Sequence, residues 1–312
     1  MNKIIVYIFV VLPMLFWSLT FVWYKIILEY IGPISVIFFR LVFAAGLLII
    51  VTKFFFKEKD KLVYKDYKYI FILTLFEPFL YFLGESYGME YVSPTIAAVM
   101  ISMIPVLTPI FAYKILNERL NAFNFIGLIL SFSGVVLIII NPGSASDFTF
   151  KGIALLMVAV LGAVGYGITV KKLLSDYSSI TIVKYQCIFG TFLFLPLFFL
   201  LEYNETTISL SNAISDGTLF TIVSTVIYMS FFASVMSFVL IIKPIRELGI
   251  SKTNVFTNLI PVFTAVLSYF MIGETFDTKK IVGILIVITG ILLSQMKGLF
   301  KKKTFQIMSL FR

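Results

Sequence analysis

Two stretches decide the fold of this chain: IPVLTPIFAYKILNERL at residues 104–120 and IPVFTAVLSYFMIGETF at residues 260–276. They align without a gap at a constant offset of 156 residues. Pro105 meets Pro261, Thr108 meets Thr264, Tyr113 meets Tyr269 and Glu118 meets Glu274; further on, Gly127 meets Gly283 and Gly134 meets Gly290. Apolar helices share residues by composition alone, but Pro, Glu and two Gly in one register point to an internal duplication. The chain therefore reads as two repeats of five spans, residues 1–141 and 150–296, followed by a basic tail, 297–312. Five is odd, so the second copy must be inverted in the membrane.

The membrane follows from composition. Of the 312 residues 60% are hydrophobic and 13% charged, with a mean hydropathy of +1.04, where soluble domains carry about 25% charged residues. The apolar residues come in runs of about 20, the length that crosses a bilayer. Spans are predicted near 4–28, 34–55, 67–90, 93–115, 121–140, 151–171, 179–201, 217–242, 249–271 and 278–296. Breakers separate them: Gly32-Pro33, Asn117 to Arg119, Asn141-Pro142-Gly143, Glu202 to Glu205 and Glu247 to Gly249. Lys3 precedes an apolar stretch, as in a signal peptide, but that stretch is too long and no small-residue cleavage site follows, so it reads as the first span.

The formal charge of +9 is concentrated in connectors and tail, which points to a membrane face and not to nucleic acid. With the N-terminus inside, the inner connectors collect most of the Lys and Arg, from Lys53 to Lys68, through Lys114, Arg119, Lys171, Lys172 and Lys184, to Lys243, Arg246 and Lys252. Outside lie Lys25, Lys151, Lys279 and Lys280. Both termini are thus expected in the cytoplasm, in a bacterial inner (cell) membrane. The acidic group Glu202, Glu205 and Asp216 falls in an outer connector.

Several chemistries are excluded. The chain has no histidine and one cysteine, Cys187, inside an apolar run. Serine–histidine and cysteine–histidine catalysis, disulfides and a Cys- or His-based metal site go with them. No P-loop pattern is present, so ATP-driven transport by this chain is not expected. Neither a catalytic residue, a metal nor a cofactor is called for.

The run Trp17-Ser18-Leu19-Thr20-Phe21 in the first span, Phe39-Arg40 in the second, Pro105 with Asn117-Glu118-Arg119-Leu120 in the fourth, and Gly127 with Gly134 in the fifth resemble the EamA module of the drug/metabolite transporter superfamily. The second copy is similar through Pro261, Gly273-Glu274, Gly283 and Gly290, but no Trp echoes Trp17 and Gln186 or Cys187 stands where Arg40 would recur. The resemblance implies an all-α membrane fold of ten helices, an exporter or exchanger whose central cavity is lined mainly by helices 1, 3, 4, 6, 8 and 9. Inverted repeats supply the two interchangeable halves that alternating access needs.

Ionisable residues inside a bilayer cost about 2.5 to 3.5 kcal/mol on insertion scales, so each needs a partner or a purpose. On an unbroken third helix Glu77, Tyr81 and Glu85 would form one stripe, with the carboxylates about 12 Å apart and Arg40 between them in depth. One reading is a buried ion pair of Arg40 with Glu77 or Glu85. The other gives a carboxylate, Glu77 first, the coupling proton or a cationic group of the substrate, because burial disfavours its charged form. Trp17, Thr20 and Tyr24 share a face of helix 1, and Tyr166 is the comparable residue of helix 6; these are candidate cavity residues. Ser102 is the repeat mate of Asn258, one turn from Asn254, and each lies three residues before Pro105 or Pro261, whose missing N–H frees a carbonyl for a polar partner. Glu118 and Glu274 are read with Pro105 and Pro261 as boundary and gating residues.

Together these readings describe a secondary transporter of small metabolites such as amino acids or related amphiphilic compounds, embedded in lipid as a monomer or weak homodimer, with protons as candidate coupling ions. A channel or a structural membrane partner is the alternative, and a membrane-embedded enzyme finds little chemistry in the spans.

Overall fold

In a computed structural model the described residues are 3–55, 62–107, 122–139, 149–173, 176–248 and 256–295. All regular structure among them is helical. The first repeat contains α1 (Lys3–Ile27), α2 (Pro33–Phe55), α3 (Tyr67–Thr74), α4 (Tyr81–Met89), α5 (Pro94–Ile101) and α6 (Ala122–Ile139). The second contains α7 (Phe150–Leu173), α8 (Ser179–Leu197), α9 (Tyr203–Ser215), α10 (Leu219–Tyr228), α11 (Ser237–Leu248), α12 (Leu259–Ile272) and α13 (Thr278–Gln295). Six helical stretches among the described residues are long and apolar enough to cross a membrane, with shorter apolar helices beside them. Their outward surface is apolar too: Phe192, Leu200, Phe220 and Phe270 are 69%, 80%, 78% and 78% exposed. Such a surface is unaffordable in water and ordinary in lipid.

The duplication is visible where α6 crosses α13. A Cβ on Gly134 would meet the Gly283 carbonyl, and one on Gly290 would meet the Gly127 carbonyl. Those two contacts exchange under the repeat offset. Between them Ser131 Oγ donates to the carbonyl of its own repeat mate, Val287, 156 residues away. A residue touching its mate, flanked by reciprocal pairs that run in opposite directions along the two helices, is the signature of a local two-fold axis across an antiparallel crossing. The small residues let the backbones approach closely, as is usual where helices pack inside lipid.

Two expectations need correction. The third span does not run as one helix: α3 ends at Thr74, the segment Leu75–Leu80 is π-helical, and Glu77 inside it is extended (φ −145°, ψ 121°). Pro78 explains the break, because proline lacks the N–H of the helical ladder and disfavours helical geometry in the residue before it. The seventh span does not end at 201 in an acidic connector. Its helix continues through a π-helical turn at Phe198–Glu202 into α9 and ends at Ser215, just before Gly217 with φ +71°. No Pro or Gly interrupts residues 197–216, and at about 1.5 Å per residue a 36-residue run exceeds the roughly 30 Å apolar core.

Glu202 itself is buried. Its carboxylate accepts from Ile34 N (3.1 Å), Ser35 N (2.8 Å) and Ser35 Oγ (2.7 Å), the free N–H groups and hydroxyl at the start of α2, where a negative charge is favoured. It thereby fastens the second repeat to the first. At the same end Thr95 of α5 donates to Glu274 Oε2 (2.9 Å), and its hydroxyl lies 3.1 Å from Ser268 Oγ of α12.

Candidate substrate-binding region

Arg40 stands at the seam between the repeats, 4% exposed. Its Nε donates to Ser234 Oγ (3.0 Å) and a terminal nitrogen donates to the Tyr24 hydroxyl (3.3 Å). The guanidinium lies 4.4 Å from the centre of the Phe82 ring, a cation–π arrangement. Ser230 donates to the Arg40 carbonyl (3.1 Å). Ser230 and Ser234 sit in a π-helical segment, Met229–Met236, between α10 and α11, and such bulges widen a helix where side chains must be re-aimed.

The direct ion pair that one of the two readings gave Arg40 is not formed among the described residues. Among the described residues neither Glu77 nor Glu85 bonds the guanidinium; its partners are neutral hydroxyls and a ring. The carboxylates act on it through space. Glu85 Oε1 accepts from the Tyr81 hydroxyl (2.9 Å), one turn away on α4, while Oε2 is buried without a hydrogen-bond partner. The Ser86 hydroxyl, beside Tyr24, is also buried and unpartnered. A guanidinium has five N–H donors, and the two bonds to Ser234 and Tyr24 leave others without an acceptor among the described residues.

Of the predicted stripe, then, Tyr81 and Glu85 remain in register and Glu77 leaves it, since the helical spacing is broken at that residue. Glu77 is half-buried and within electrostatic reach of Glu85, Arg40, Tyr166 and Cys187. Its main-chain carbonyl accepts from Gln186 Nε2 of α8 (2.8 Å). Gln186 is one of the two residues noted where Arg40 would recur; in the fold it seals the helix break instead.

The other candidates are spread along the seam. Trp17 donates from Nε1 to the Ala233 carbonyl (3.1 Å) and packs against Phe238, and the Thr20 hydroxyl bonds within its own helix to Phe16 O. Tyr24 is completely buried. Tyr166, half-buried, packs against the cluster formed by Leu62, Ile70, Leu73, Leu173, Tyr177 and Ile182. Ser102 donates to Val99 O (2.6 Å) at a turn that ends α5, and its mate Asn258 ends a 3-10 turn before α12, so both helices change geometry three residues before their proline. Both amide atoms of Asn258 are buried and unpartnered. Pro261 is buried and Pro105 half-buried. Asn254 and Glu118 lie outside the described residues. The residues not anticipated are Ser230, Ser234, Phe82 and Ser86. Hydroxyls in an apolar helix carry no periodic signal, so only Pro78 could have been read as a warning.

A family model described as "EamA-like transporter family" matches residues 4–140 and 150–296. An uncharacterized transporter, YyaM, of Bacillus subtilis (strain 168) is 27% identical over 295 residues, 94% of each chain. One from Archaeoglobus fulgidus is 25% identical over 280 residues, 90% of this chain and 95% of its own. A probable terminal-alkyne amino-acid exporter of Streptantibioticus cattleyicolor is 22% identical over 218 residues, covering 70% and 69%. A solved crystal structure shares the fold with a TM-score of 0.62 at 12% identity, covering 92% of this chain and 95% of that one.

Proposed function

This chain belongs to the EamA-like transporter family, and from that premise we propose that it is a secondary active exporter or exchanger of small metabolites, with amino acids or related amphiphilic compounds as the substrate class. It works by alternating access between the two repeats, in a bacterial inner membrane with both termini cytoplasmic. The observation that supports this reading is a pair of opposite charges at the seam that make no direct bond to each other. Among the described residues the Arg40 side chain hydrogen-bonds only to hydroxyls, and Glu85 keeps a buried oxygen free. Charges left unpaired inside a bilayer are retained where a ligand or ion completes them. The guanidinium suits a carboxylate group of the substrate, since its planar fork matches two oxygens. The name of the Streptantibioticus relative points to the same class. Proton coupling falls to Glu77 and Glu85.

The test is a metabolite screen comparing medium and cell extracts with and without overexpression, followed by uptake into proteoliposomes. We expect saturable flux that is stimulated by counter-substrate and driven by a proton gradient, with Glu77→Gln losing the dependence on that gradient. Conductance without saturation would replace the carrier with a channel, and unchanged gradient dependence in Glu77→Gln would remove the coupling role.

A further inference from the structure

The helix break at Glu77 holds a second cluster of unsatisfied polar groups, formed by the break itself together with Gln186 of α8 and Tyr166 of α7. Gln186 of α8 is 5% exposed. Because its partner is a carbonyl oxygen, the atom that faces Glu77 O must be the amide nitrogen. The amide oxygen, Oε1, is therefore the free atom, and it is buried with no partner. The Glu77 carboxylate accepts no hydrogen bond from any described residue. Tyr166 of α7, half-buried, adjoins Gly165, where an added Cβ would meet the Phe76 ring beside the break, and its hydroxyl bonds no described residue either.

These groups are alike in kind. A carboxylate and an amide oxygen only accept hydrogen bonds, and a phenol oxygen can accept as well. Such a set is complementary to a cation that carries several N–H donors, and it repels a carboxylate or phosphate. We infer that Glu77, Tyr166 and Gln186 form the docking site for a primary ammonium group, held where α3 gives way to α4. The bond from Gln186 Nε2 gives the site its rigidity. It satisfies a carbonyl that the break has released from the helical ladder, and because it engages the nitrogen it leaves Oε1 as a buried acceptor. Broken helices whose released backbone groups surround a ligand are a recurrent way of binding charge in the membrane interior. Gln186 lies on the seventh span, outside the helices that the family resemblance assigns to the cavity, so the site extends the binding region sideways from Arg40.

The inference deepens the transporter reading by naming the cationic end of the substrate, but it is measured without transport. The purified full-length protein in detergent at pH 8 is melted in rising concentrations of methylammonium chloride at constant ionic strength. Sodium chloride and tetramethylammonium chloride, which lacks N–H donors, serve as comparisons. We expect a saturable rise in melting temperature with methylammonium alone. Gln186→Leu and Tyr166→Phe should each raise its midpoint concentration, Gln186→Leu by about tenfold or more, as the loss of a charge-assisted hydrogen bond implies. Equal shifts with all three salts would overturn the site, and a saturable shift with sodium alone would overturn the ammonium assignment. A Gln186→Leu protein that melts lower but keeps the wild-type midpoint would show that Gln186 only seals the break. Tyr166→Phe, which preserves the packing, keeps the test open if Gln186→Leu does not fold. Failure of flux with intact methylammonium binding would count against the transporter reading and not against this site.

Discussion

Arg40 and Glu202 show how much a single buried charge depends on its partners. Arg40 offers five donors and meets two hydroxyls and a ring, a half-filled shell that leaves capacity for a ligand. Glu202 is the opposite case, its carboxylate filled by the start of α2. A filled shell is a structural feature, and its loss is felt in stability. Glu202→Ala should lower stability by about 2 kcal/mol, the order expected when hydrogen bonds to a charged acceptor are lost and N–H groups are left bare. Thermal melting in detergent reads this directly; a melting temperature within error of the wild type would mean that water or Thr206, whose hydroxyl lies 2.6 Å from Ser35 Oγ, replaces the carboxylate. Arg40 was visible as a charge in an apolar run and Glu202 as part of an acidic connector. Their opposite roles were not, because the hydroxyls and N–H groups that define them come from helices distant in the chain.

At the level of elements, the crossing of α6 and α13 depends on small residues. A Cβ on Gly290 would stand 2.5 Å from Ser131 N and 2.7 Å from Gly127 O. Backbone atoms cannot swing aside as a side chain can. Gly290→Ala should therefore push the helices apart and cost about 1 to 3 kcal/mol, the usual range for overpacking. Gly167 on α7 has nothing within 4 Å of the added carbon, so Gly167→Ala should be neutral or stabilising by up to about 1 kcal/mol through helix propensity. Only the Gly290→Ala melting temperature should fall; a fall in both would mean that α7 needs its glycine for another reason. The break in the third span belongs to the same scale. Pro78 stood in the sequence in plain view, but the spacing of Glu77, Tyr81 and Glu85 was carried through it as though the helix were intact.

For the whole molecule, alternating access requires the two repeats to part at one end while they close at the other. At the end carrying Glu202, α5 and α12 are joined through Thr95, Ser268 and Glu274, each repeat supplying part of the contact. If this junction opens during transport, a covalent link across it should stop the cycle. The double variant Thr95→Cys, Ser268→Cys in a Cys187→Ser background should transport when reduced, lose at least about nine-tenths of its flux when oxidised, and recover with dithiothreitol. Full flux in protein whose cross-link is verified by mass would show that this end does not open. Sequence alone determined the membrane, the helical class and the duplication, because hydropathy, breakers and a repeat in register are properties of the chain read in order. It also picked out Arg40, Glu77, Glu85 and the Ser102–Asn258 pair, since a polar residue in an apolar run stands out whatever surrounds it. Only the tertiary structure decided which charges meet. Arg40 turned to Ser234 and not to a carboxylate, Glu202 went to a helix start and not to solvent, and Gln186 closed a break in another helix, because a buried polar group is satisfied by whatever the packing of distant helices brings within about 3 Å.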